Sequence, residues 1–256
     1  MAVYQEKAKE RIRKGLSKFR KLAEKGRSLN MNEADTRRIV TGVLEELLGW
    51  HAFEDISGEY RIRGNYVDFV ISHEGRLLAV VEVKAVGMKL NDNHLYQAVT
   101  YASNEGVDWV ILTNGADWKL YRVIFGKPVD KDLVFSVSLF DDETTPKAKA
   151  ELLYLLSHEA DRKDELTAYY QKKVALCGTN VAKAILAEEV LKKLRSEVRS
   201  RSGHLIPLDE LAQILVQDVF RSDVQDAETV RLLKKVASLS RGDCKPKKAD
   251  TAAAES

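Results

Sequence analysis

A chain of 256 residues with 45% apolar content is long enough to bury a sizeable core in one large or two small domains. Its apolar runs are a handful of residues, far short of the ~20 a membrane span needs, and no charged-then-apolar leader opens it, so a soluble, cytoplasmic protein is expected. Net charge is only +2, yet residues 1–30 carry ten basic against three acidic side chains and residues 31–145 carry eleven against nineteen. Any grip on a polyanion must therefore recruit cations from outside the central segment. Cys177 and Cys244 are too few and too isolated for a disulfide framework or a thiolate zinc site.

Residues 3–25 read as a charged helix whose sparse apolar positions, Ile12, Leu16, Phe19 and Leu22, recur three or four apart. Such a helix packs lightly or lies on a polyanion. A second helix is expected over Asn32 to Leu48, capped by Asn32, with Glu33 in its first turn, Ile39, Val43 and Leu47 on one face, and Gly49 at its end. The period then becomes extended, between turns at glycines. Tyr66–Ser72 and Arg76–Val86 form an expected antiparallel hairpin through His73, Glu74 and Gly75. Asn91–Asn104 reads as a helix, Trp109–Thr113 as a strand buried on both faces, and Trp118–Phe125 as its neighbour across Asn114 and Gly115. The order is helix, three strands, helix, two strands.

Beyond the polar link at Asp141–Pro146 the composition turns to helix formers. Four helices are expected there, near 147–176, 181–200, 207–220 and 226–239, the second with an apolar stripe of Val181, Ile185, Leu191, Leu194 and Val198, and the last capped by Asp226. The expected organisation is a basic N-terminal helix at 1–30, an α/β domain at 31–145, a helical module at 146–240 and a disordered tail at 241–256.

Two carboxylates sit inside runs that otherwise ask to be buried: Asp68 in YVDFVI and Glu82 in LLAVVEVKAV. Burying an unpaired carboxylate costs several kcal/mol, and a cation is one way to offset it. On a strand Glu82 and Lys84 face the same side, and hairpin pairing can bring Asp68 beside them. Hard oxygen ligands of this kind suit magnesium, with manganese as a substitute. Lys84 could orient or deprotonate a water or counter transition-state charge, and the residues leave that choice open.

These residues resemble the PD-(D/E)xK nuclease superfamily, and within it the N-terminal nuclease domain of type I restriction enzyme motor subunits. The strings NEADTRRIVTGVLEELLGW, YVDFVI, VVEVKA, QAVTYA and WVILTNGADWKLYRV carry the likeness over about residues 31–127. It implies a restriction-endonuclease-like mixed sheet flanked by helices, followed here by an all-helical C-terminal module. By that resemblance Asp68, Glu82 and Lys84 are the catalytic residues, Asp68, Glu82 and Glu33 the metal ligands, and Gln97 and Tyr101 a QxxxY pair beside the site. Glu59 is a rival for the position of Glu33. Val67 stands where the family name has proline, and no GxxxxGK[ST] phosphate loop is present.

The implied activity is Mg2+-dependent hydrolysis of DNA phosphodiesters in prokaryotic defence or mobile-element biology, with RNA left open as a substrate. Separately from the resemblance, the C-terminal helices are the expected place for a partner protein or a second copy to dock. The alternative is a nuclease-fold binding or sensor subunit with conditional or vestigial cleavage. His51, His73 and His94 show no metal-ligand spacing and carry no assigned chemistry, and Trp50, Trp109 and Trp118 read as core anchors.

Overall fold

The computed structural model describes residues 3–62 and 65–243, with backbone alone at 59–62, 65–66 and 238–243. Cys244, most of the expected tail and the Glu59 side chain lie outside the described residues. The chain divides into two compact units, residues 1–168 and 169–256.

In the first unit, α1 (Val3–Ser28) leads to α2 (Glu33–Gly42), which continues as a wider π turn over Val43–Leu47. Asn32 caps α2 by accepting the Asp35 amide at 2.9 Å, and Gly49 closes the segment at φ 77°, a left-handed value that glycine adopts without a Cβ clash. Six strands follow: β1 (Ile56–Ile62), β2 (Asn65–His73), β3 (Arg76–Val83), β4 (Trp109–Thr113), β5 (Asp117–Ile124) and β6 (Asp130–Ser138), lying side by side in chain order. The β3–β4 pair is parallel and the others antiparallel, so the sheet is mixed. The parallel join needs a crossover, supplied by a 3-10 turn at Asp92–Leu95 and α3 (Tyr96–Glu105). The β2–β3 hairpin turns on Glu74 and Gly75, both at positive φ (51° and 78°), as a two-residue loop compatible with strand twist requires.

α3 covers one face of the sheet, burying Leu95, Ala98, Tyr101 and Ala102 against Val80, Val110 and Leu112. β4 is buried at all five positions, as its unbroken apolar run predicts. β6 was absent from the expected order. Its alternation is broken because the register with β5 slips between Leu120 and Tyr121, leaving Val134 as an extra residue between Leu133 and Phe135. Both Val134 and Phe135 are consequently buried, and period two is lost to the eye.

α1 is built into this unit. It buries Ala8, Ile12, Leu16, Phe19 and Ala23, so the stripe turns through Ala23, and Leu22, expected inside, faces out. Three of its cations pair with acids elsewhere in the unit: Arg11 grips Glu159 through two hydrogen bonds of 2.6 and 2.9 Å, Lys18 pairs with Glu46, and Arg20 with Asp142. The charge asymmetry along the chain is thus partly cancelled within one unit. α4 (Pro146–Tyr154) and the single turn α5 (His158–Asp161) also pack on α1, which carries the first unit past residue 145 to Ala168.

The helix expected over 147–176 is three: α4, α5 and α6 (Glu165–Ala175). Ser157 interrupts it by capping α5, its hydroxyl accepting the Ala160 amide at 3.3 Å, and Asp164 follows at φ 52°. The helix expected over 181–200 is likewise two, α7 (Gly178–Ile185) and α8 (Glu188–Ser202), parted where Ala187 turns extended. That break leaves Val181 exposed while Leu191 is buried. α9 (Leu208–Ile214), a π turn over Leu215–Val219 and α10 (Ala227–Asp243) complete the second unit around Leu186, Leu191, Leu208, Leu215, Val216 and Val236. Asp226 accepts the Thr229 amide at 2.9 Å, capping α10 as expected. Among the described residues no helix is long and apolar enough to cross a membrane.

Candidate active site

Hairpin register places the acidic pair. Phe69 lies opposite Val81 and Val70 opposite Val80, which sets Asp68 beside Glu82 on the face that α3 covers. Glu82 is only 5% exposed. Lys84 follows two residues on, where its amide donates to Thr113 O at 2.8 Å and prolongs the β3–β4 pairing. Its ammonium reaches Glu82 Oε1 at 2.7 Å and Glu33 Oε1 at 3.5 Å. Asp68 Oδ2 accepts the Val83 amide at 2.7 Å, and Oδ1 lies 3.3 Å from Arg37 Nη1.

α2 is held to the sheet by its own first turn. Thr36 is fully buried, and its hydroxyl accepts the Val86 amide at 3.1 Å while donating to Asn32 O at 2.7 Å. This joint brings Glu33 and Arg37, four residues apart on one helix face, to the strand ends. Glu33, Arg37, Val67, Asp68, Glu82, Lys84 and Gln97 line an open pocket of about 390 Å³.

Burial pushes the Asp68 carboxyl above the ordinary carboxylate range, against the pull of the Val83 amide, Arg37 and Lys84. Burial raises Glu82 as well, with Lys84 opposing it. At Lys84 burial favours the neutral amine, but the Glu82 hydrogen bond and the charges of Glu82, Glu33 and Asp68 outweigh it, so the ammonium is held above its usual value. Two carboxylates that resist ionisation thus surround a lysine that resists deprotonation.

The pocket gathers Glu33, Asp68, Glu82, Lys84 and Gln97. It does not include Tyr101, which is 2% exposed and packed among the α3 core residues, so it offers no face to a nucleic acid. Helical spacing of four aligned Gln97 with Tyr101, but α3 tilts Gln97 to the rim and Tyr101 into the sheet. Arg37 was missed by sequence reasoning, although its i+4 offset from Glu33 was a usable signal.

Among the described residues no group of three or more His, Cys, Asp or Glu side chains is arranged to hold a metal ion. Asp68 and Glu82 instead meet Arg37 and Lys84, cations that stand near the carboxylates. The donor chemistry still fits magnesium, which takes one or two carboxylates from protein and fills its remaining positions with water and phosphate oxygens.

A carboxylate pair, one member buried and the other half-buried, and a lysine at the end of a hairpin, in a mixed sheet flanked by helices, define a class of α/β proteins with an acidic pocket at the strand ends. Within that class, residues 33–128 match the family of the type I restriction enzyme R protein N terminus. The matched segment runs from Glu33, the first residue of α2, to just beyond β5 and holds every residue of the pocket. No curated protein and no solved structure matches the chain.

Proposed function

We propose that the first unit is a Mg2+-dependent nuclease that hydrolyses DNA phosphodiester bonds, with Mn2+ able to replace Mg2+. The observation that carries this reading is the register-matched carboxylate pair, Glu82 buried and Asp68 half-buried, whose ionisation burial opposes and a nearby cation would favour. Asp68 and Glu82 would hold the metal, with Glu33 at the open rim as a further ligand. When bound, the ion polarises the phosphate and stabilises charge on the leaving oxygen.

The protein's own groups divide the remaining work. Lys84, kept charged by its three acidic neighbours, acts as an electrostatic partner for the non-bridging phosphate oxygens rather than as a base. Arg37, beside Asp68, offers a planar fork that suits a phosphate once Asp68 has another counterion. Gln97, exposed at the start of α3, positions water or the sugar–phosphate backbone by hydrogen bonds. Plasmid nicking with Mg2+ tests the reading. Asp68→Ala and Lys84→Ala should each lower the rate by about 100-fold or more, and equal rates for wild type and both variants would overturn it.

A second reading is a nuclease-fold binding subunit with conditional cleavage. It is favoured by large apolar side chains exposed on the second unit, among them Leu176, Val181, Val190, Val219 and Val230, which suit docking of a partner protein or a second copy. DNA retention without nicking, in the presence of Mg2+, is its signature.

A further inference from the structure

The face of the sheet turned away from the carboxylate pocket holds a cavity of about 190 Å³. Strand alternation sends Asp68 and Glu82 toward α3 and sends Ala79, Trp109 and Ile111 the other way, where with Leu120 of β5 they form the cavity floor. The link from α4 to α5 and the first turn of α6 close it through Leu156 and Thr167. Trp50 makes a wall. Its indole N–H donates to Leu156 O at 2.9 Å, and the rings of His73 and His158 meet it edge-on, with His51 edge-on to His158, so the wall is fixed. The opening is charged. Arg76 Nη2 holds one oxygen of Asp161 at 3.0 Å, His73 Nδ1 lies 2.8 Å from the other, and Arg122 holds Asp108 at 2.8 Å. Among the described residues no cation is paired with Asp164, which also lines the cavity and stands exposed in the turn between α5 and α6.

We infer that this cavity binds a small aromatic amine in its ammonium form, with one ring on the apolar floor and the cationic end at Asp164. Size sets the first limit. A cavity of about 150 Å³ lined by aliphatic and aromatic side chains holds one benzene, so the space here takes a single ring with a short chain. A hollow of this kind is unfavourable to leave empty, and its carbon walls give ordered water too few partners. The indole rings of Trp50 and Trp109 suit an aromatic occupant by offset or edge-to-face contact. Charge sets the second limit. Asp108 and Asp161 already have guanidinium partners, so the opening keeps one carboxylate in excess, which favours a cation over a neutral or anionic ligand of the same shape. The few polar groups at the rim of an apolar hollow fix the orientation of the guest, as in other small-molecule sites. The inference does not depend on nuclease activity, because the cavity and the carboxylate pocket lie on opposite faces of the sheet.

Calorimetric titration of the full chain with phenethylamine, against its neutral isostere phenethyl alcohol and the anion hydrocinnamate, tests it at neutral pH. One phenethylamine should bind per chain with a dissociation constant of about 1 mM or lower, as a guest of about nine heavy atoms allows. The alcohol should bind about threefold more weakly and hydrocinnamate about tenfold more weakly, since the deciding carboxylate is exposed. Asp164→Asn should bring amine and alcohol to within about twofold of each other. Thr167→Phe and Ala79→Leu, which fill the space from the roof and from the floor, should each weaken phenethylamine at least about tenfold. Absence of phenethylamine binding, equal affinity for the amine and hydrocinnamate, a preference for the amine that survives Asp164→Asn, or undiminished binding in the filled variants overturns the assignment. Should Ala79→Leu fail to fold, Thr167→Phe decides, because its half-buried position on α6 accepts a larger ring.

Discussion

Replacing Lys84 with methionine keeps the length of the side chain and removes the charge that faces Glu82. Glu82 is 5% exposed, and among the described residues its nearest recorded cation is this ammonium at 2.7 Å. Breaking a buried pair from one side costs about 3–5 kcal/mol. Lys84 keeps 17% of its side-chain surface, so water recovers part of the loss and the lower end, about 3 kcal/mol, applies at pH 8. The sign with pH follows from the folded carboxyl, whose pKa lies above the 4.5 of an unfolded glutamate and rises further without Lys84. The native state then binds its proton more tightly than the unfolded chain, so the penalty grows as pH climbs from about 4.5 through the folded value and is complete above it. Below that window Glu82 is neutral in both states, and only a hydrogen bond of about 1 kcal/mol is lost. Urea unfolding of wild type and Lys84→Met at pH 8 and pH 4 measures both numbers. An equal destabilisation at the two pH values would refute the claim that a buried charge, rather than packing, dominates.

Other expectations separate site from scaffold. Tyr101→Phe should leave nicking within about twofold of wild type and denaturant stability within about 1 kcal/mol, because the core ring is retained, whereas Gln97→Ala on the same helix should slow nicking with little effect on stability. Gly115→Ala should cost about 1–2 kcal/mol by thermal melting, since Gly115 sits at φ +81°, where an L side chain is strained although a Cβ would meet Ile39 only in ordinary contact at 3.4 Å. Arg37→Ala should tighten Mn2+ binding, measured by electron paramagnetic resonance, by removing the cation 3.3 Å from Asp68, yet still reduce nicking.

The hairpin could be read from the chain because strand alternation flanks a tight Glu74–Gly75 turn, but the register of that turn alone would set Asp68 opposite Val81, and a one-residue shift between Ile71 and Ser72, with Leu78 as the extra residue, is what brings Asp68 beside Glu82. A residue out of step also hides β6, where Val134 breaks the alternation. Helix formers run almost continuously from Pro146 onward, so propensity joined segments that local caps at Ser157 and the extended Ala187 separate. Arg37 and Tyr101 show the limit of spacing as evidence. A helix offset says which residues share a face, but only the packing of α2 and α3 on the sheet decides whether that face meets the pocket or the core. The histidines mark the opposite limit, since residues 51, 73 and 158 become neighbours only after tertiary folding.

Because each strand hydrogen-bonds to its predecessor in the chain, the β2–β3 hairpin can pair before α3 is in place. At that stage Asp68 and Glu82 are already side by side but still bathed in water, where like charges repel weakly. The electrostatic burden of crowding them arrives only when the crossover helix is laid over the sheet and the first turn of α2 locks through Thr36. A fragment ending before Asn91 should therefore lose less than the finished protein when position 84 is made neutral or acidic.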